Sequence, residues 1–127
     1  MGYSFINPSD FLIFPIQDWV KKEEEILKDL ESLSKGLDMK KTIFVIHPPP
    51  RDTRLDMLYD GNHVGSTSVR KFIEKNAFCF GLFGHIHESP TMSGSIKDTV
   101  GKTLCIQPGN AKIVILDLDD PENAKRI

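Results

Sequence analysis

The chain has 127 residues and a mass of 14.4 kDa, enough for one domain and too little for two. Lys and Arg number 16 against 18 Asp and Glu, a net charge of -2, which excludes general nucleic-acid binding through a basic surface. Hydrophobic residues at 39% and charged residues at 27% exclude a disordered chain and predict a core.

Asn7-Pro8-Ser9-Asp10 reads as a turn, and residues 11–16 form an apolar run with neither helical nor alternating period. Pro15 breaks that run well short of a bilayer span, and no basic segment with a cleavage-like site precedes it. The expectation is a cytoplasmic protein with no membrane partner. Asp18 is placed to cap a helix carrying Trp19, Val20, Ile26, Leu27, Leu30 and Leu33 at helical spacing and stopping at Gly36. The acidic run Glu23-Glu24-Glu25 belongs on its solvated face.

Residues 42–47 are short, apolar and rich in β-branched side chains, and Pro48-Pro49-Pro50 ends them, predicting a buried strand whose last residue is His47. Residues 51–65 have no period, and a loop of this length in a compact domain is usually functional. Within it, Asp52 and Asp56 are assigned to solubility and turn chemistry. Ser66 caps a helix over residues 67–76 with Val69, Phe72 and Ile73 on one face. Residues 78–83 predict a second buried strand. Residues 102–106 and 112–118 predict two more, with Pro108-Gly109-Asn110 turning between them. Cys79 and Cys105 each lie in an apolar run and read as buried thiols rather than a disulfide.

All four histidines fall between residues 47 and 87, and His47, His85 and His87 stand just past predicted strand ends. In open α/β sheets ligands bind beyond the carboxyl ends of the strands. On extended backbone residues i and i+2 share a side, so His85 and His87 suit one metal jointly, or one ion each of a pair about 3.5–4 Å apart. A solvated loop, and a His47 bonded to a backbone carbonyl, are the plainer readings. His63, Gly65 and Ser66 precede a helix whose first amides offer a cradle for phosphate, with His63 donating to it. Glu88 either orients a metal-bound imidazole through a hydrogen bond or is solvated.

Taken together, Ile43-Phe44-Val45-Ile46-His47-Pro48-Pro49, Gly84-His85-Ile86-His87-Glu88 and Gln107-Pro108-Gly109-Asn110 resemble the C-terminal half of the calcineurin-like metallophosphoesterases. Gly61-Asn62-His63-Val64-Gly65-Ser66 and Gly101-Lys102-Thr103-Leu104 look like a prokaryotic subgroup of small phosphoesterases. The resemblance implies an α/β fold, part of a four-layer α/β/β/α sandwich. It also implies a site with normally two divalent metal ions, manganese, iron, zinc or nickel, in which His47 and His85 bind one and His87 the other. The implied activity is a phosphatase-type hydrolase: a metal-activated water cleaves a phosphomonoester or phosphodiester in a phosphorylated small molecule or nucleotide.

The family's Asp-x-His, Gly-Asp and Gly-Asn-His-Asp/Glu motifs lie upstream of the histidine strand, and residues 1–41 contain none of them. Gly61-Asn62-His63 stands downstream of His47 and is followed by Val64, so it does not carry over. No catalytic residue is therefore named, and the N-terminal half of the sandwich is missing. A sheet with helices on one face alone would expose an apolar patch, which calls for a complementary N-terminal half or self-association. The alternative is a non-catalytic metal- or phosphate-binding interaction module that keeps the fold. A lone ion on His47, His85 and His87 is a third arrangement.

Overall fold

The computed structural model describes residues 1–3, 5 and 20–127. The turn at Asn7-Pro8-Ser9-Asp10, the run 11–16, and Asp18 and Trp19 lie outside them. In chain order the elements are β1 (Gly2–Tyr3), α1 (Glu23–Leu33), β2 (Ile43–Ile46), α2 (Thr67–Lys75), β3 (Phe80–Leu82), α3 (Ser89–Ser93), β4 (Lys97–Val100), β5 (Thr103–Ile106), β6 (Val114–Ile115) and β7 (Lys125–Arg126). The result is a mixed α/β fold around a mostly parallel five-stranded sheet ordered β1-β2-β3-β5-β4, with β4 antiparallel to β5. Strands β6 and β7 form a separate antiparallel pair. Among the described residues, no helix is long and apolar enough to cross a membrane.

Pairing register sorts the apolar strand residues onto two faces. Phe44, Gly81 and Cys105 lie side by side on one, as do Ile43, Phe80 and Leu104 on the other. The first face is the main core, where Ile26 and Leu30 of α1 and Val69, Phe72 and Ile73 of α2 pack on Phe44, Ile46 and Cys105. Phe44 is its hub, stacked on Phe78 at 4.6 Å between ring centroids and meeting Phe72 at 5.6 Å and Phe83 at 6.2 Å. The second face carries Phe80, Leu104 and Ile106 under Val114, Leu116 and Ala124 from the C-terminal hairpin. On β2, Ile43 packs against this cluster and is half-buried, whereas Val45 is 46% exposed. Among the described residues, the apolar exposure expected across this face is limited to Val45 on β2, because the C-terminal segment packs over Phe80, Leu104 and Ile106.

Several sequence expectations shift. Val20 lies outside the first helix, which starts at Glu23 after an extended Lys22; the Glu25 carboxylate accepts the Lys22 N–H at 3.0 Å. Gly36 does mark the exit, at φ 78. Strand β2 ends at Ile46 and is buried on one face only: Phe44 and Ile46 are buried, while on the other face Ile43 is half-buried and Val45 exposed. The run 112–118 pairs only through Val114 and Ile115. The edge strand β4 lacks the apolar pattern of a buried strand, because its Lys97-Asp98-Thr99-Val100 carries the charges that keep an edge from pairing further. Cys79 is exposed rather than buried, because its neighbours Phe78 and Phe80 both turn inward. Cys105 is fully buried, and desolvation pushes its thiol up to about 12.

Candidate functional site

Strands β2 and β3 are parallel neighbours, so the chain leaves both at the same edge of the sheet. His47 follows β2 there, and His85 and His87 follow β3. The Gly84 N–H donates to the His47 carbonyl at 3.0 Å, which locks the two exits together. The backbone beyond is not extended: His85 has φ 68, and Ser89 N–H closes back on the Ile86 carbonyl at 3.1 Å. The expectation that His85 and His87 share a side by strand alternation therefore fails. Their placement comes instead from a tight turn holding a non-glycine residue in the left-handed region, at a cost of about 1–2 kcal/mol.

That turn brings His85 Nδ1 to 3.2 Å from His47 Nε2, with ring centroids 5.0 Å apart at 60°. Burial, then the His47 and His87 rings, hold His85 far below the ordinary imidazole range, at about 4. Partial burial and His87 lower His47 in the same direction. Unfolding restores His85 to its ordinary value of 6.5. Between that value and about 4 the unfolded chain binds a proton that the folded chain refuses. The stability carried by His85 is therefore complete above pH 6.5 and lost as pH falls toward 4, by roughly 1 kcal/mol once solvent screening at this accessible edge is allowed for. Thermal melts of the metal-free chain at pH 7.5 and 4.5 should show a shallower loss for His85→Gln than for the native sequence. Parallel losses would contradict the burial of this ring.

Gln107, from the third motif, is fully buried and holds the turn from below. Its Nε2 donates to the Ile86 carbonyl at 2.9 Å and to the Leu55 carbonyl at 2.6 Å, tying the long loop to the His-x-His turn. Its Oε1 has no partner among the described residues. Glu88 is near His87 in sequence, but its carboxylate makes no hydrogen bond to an imidazole among the described residues; His85 bonds to His47, and His63 to Asp56.

The phosphate cradle expected at His63, Gly65 and Ser66 is engaged within the chain. Glu23, expected to be solvated, reaches from α1 to the start of α2, where its carboxylate accepts from Ser66 Oγ at 2.7 Å, Ser68 N–H at 2.9 Å and Thr67 N–H at 3.3 Å. Ser66 Oγ also accepts the Val69 N–H at 3.1 Å, completing the predicted N-cap. The helix amides thus already hold an anion, a carboxylate of the same chain.

Asp56 is likewise no surface residue. It is fully buried and accepts the N–H groups of Asp52 (3.0 Å), Thr53 (2.9 Å) and Gly65 (2.9 Å), and it meets His63 Nδ1 at 2.6 Å. Gly65 has no alternative at this crossing, because a Cβ there would lie 2.6 Å from the Pro49 carbonyl and 2.9 Å from Asp56 Cβ. The local bonds, Thr53 N–H to Asp56 and Leu55 N–H to Thr53 Oγ1, are the turn chemistry expected of Asp56 and are legible in the sequence as Thr53-x-x-Asp56.

The structure thus brings His47 and His85 into contact, with His87 two residues further along the same turn, and engages His63, Gly65 and Ser66 in loop and helix support. Among the described residues, no three His, Cys, Asp or Glu side chains converge to hold one ion, so the three-histidine mononuclear arrangement is not assembled. No family model and no curated protein matches this chain. One crystal structure is similar to it, with a TM-score of 0.75 and 18% identity over 100% of the chain. The chain spans 47% of that protein's length. At this identity the likeness concerns the fold alone.

Proposed function

We propose that this chain is the C-terminal portion of a calcineurin-like metallophosphoesterase sandwich, and that His47 and His85 hold one divalent metal while His87 serves a second. The single observation that supports this most is the 3.2 Å between His85 Nδ1 and His47 Nε2. Two nitrogen ligands about 2.0–2.1 Å from one ion lie roughly 2.9–3.4 Å apart at octahedral to tetrahedral angles, so an ion fits between them with little movement. Both rings favour the neutral form that metal ligation needs. When bound, such ions polarise a phosphoryl oxygen and acidify a water for attack. The chain's own share is positional: the Gly84–His47 backbone bond, the left-handed His85 and the buried Gln107 hold the imidazoles before any ion arrives.

Two imidazoles do not complete a two-metal site. The carboxylates and further ligands that the family places upstream would come from a complementary half, covering the sheet face where Val45 stands exposed. The 47% overlap with a longer protein of this fold is compatible with that architecture. Elemental analysis after loading with manganese should find the native chain holding metal, with His47→Ala and His85→Ala each binding at least tenfold more weakly, while hydrolysis of an aryl phosphodiester stays marginal until a complementary half is added. Metal content unchanged in both variants would sink the assignment. Metal held with no turnover even then would favour the non-catalytic module.

A further inference from the structure

A polar cavity of about 290 Å³ opens directly beside His87. Four segments distant in sequence build it: Tyr59 from the long loop, Glu88 and Thr91 at α3, Asn110 and Lys112 after β5, and Arg126 from β7. Two hydrogen bonds tie three of these segments together. Asn110 N–H donates to the His87 carbonyl at 3.2 Å, and Arg126 Nη1 to the Pro108 carbonyl at 3.4 Å. Ala111, between Asn110 and Lys112, has φ 48, a second non-glycine residue kept in the left-handed region at this edge. Among the described residues, neither Lys112, Arg126 nor Glu88 takes part in an ion pair.

We infer that this cavity binds a phosphate group with a hydroxyl beside it, as in a sugar phosphate, forming a subsite next to the group that the histidines engage. Two cations without carboxylate partners, two hydroxyls and an amide supply donors for phosphate oxygens, and the planar guanidinium suits two of them at once. The one carboxylate, Glu88, would repel a bare anion but accepts a hydroxyl hydrogen from a ligand that carries one. The volume is at the low end for small-molecule sites and suits a moiety of this size. The role of the neighbouring histidines rests on the phosphoesterase reading, so the subsite would select substrates bearing a second phosphate. The anion site itself needs no metal.

The test is an amide-shift titration of the metal-free chain with inorganic phosphate, ribose 5-phosphate and ribose at constant ionic strength. Saturable shifts centred on His87, Asn110 and Lys112 are expected for both phosphates and not for ribose, with ribose 5-phosphate binding several-fold tighter. Lys112→Ala combined with Arg126→Gln should weaken both phosphates at least tenfold, Lys112→Ala alone about threefold, and Glu88→Gln should erase the preference for the sugar phosphate. Lys112 and Arg126 are exposed and Glu88 is half-buried, and unchanged melting temperatures would show that the fold is kept. No saturable binding, or binding unaltered in the double variant, overturns the proposal; equal affinity for the two phosphates overturns its sugar component. Because no metal is present, this result is independent of metal content in the histidine variants, and either reading can fail alone.

Discussion

Asp56→Ala is expected to destabilise the chain by about 3–5 kcal/mol, measured as the loss of unfolding free energy in urea. The carboxylate is completely buried and serves three backbone N–H groups from two strands of the loop, together with the His63 ring. Removing it strands those donors where water reaches poorly, and each buried donor left unpaired costs about 1–3 kcal/mol. Asp56→Asn should lose less, since one acceptor oxygen remains, though its amide must then face a donor. The consequence extends beyond stability: Leu55 hands its carbonyl to Gln107, which also holds Ile86. Loosening the loop should therefore broaden the resonances of His85 and His87. A loss below about 1 kcal/mol would show that water replaces the carboxylate and that the loop does not depend on it.

Phe44→Ala should cost a similar amount, about 3–5 kcal/mol, as expected for deleting a large side chain from a packed core. Phe44 is fully buried and meets three other phenylalanine rings. Its neighbour on the strand makes the informative comparison. Val45→Ala removes a side chain that is 46% exposed on the opposite face and should fall within about 1 kcal/mol of the native chain. Chemical denaturation of the two variants side by side reads the asymmetry of the sheet directly. Equal losses would mean that Val45 is covered in solution, as a complementary half or self-association would make it.

Much of the framework follows from local patterns. The helix at α2 with its Ser66 cap, the strands around Phe44, Phe80 and Leu104, and the placement of three histidines past strand ends all rest on periodicity, capping chemistry and proline stops that act over a few residues. The polar supports were less legible because their partners are distant in sequence. Glu23 looks like one of three solvated carboxylates until α1 packs across the start of α2, more than forty residues on. Asp56 carried a short-range signal in Thr53-x-x-Asp56, yet its burial comes from Gly65 crossing over it.

By itself the sequence determined the α/β class, the succession of the main strands along the chain and which residue types gather at the sheet edge, since these follow from period and local stereochemistry. Only the tertiary structure decided which imidazoles meet and which polar groups are already taken. The 3.2 Å contact of His85 with His47 depends on parallel pairing of β2 with β3 and on a left-handed turn. The donors at α2 are filled by a carboxylate from another helix. The cavity beside His87 is assembled from four segments between Tyr59 and Arg126. Each is a property of chain crossings, where the free energy lies in contacts between residues that no local pattern brings together.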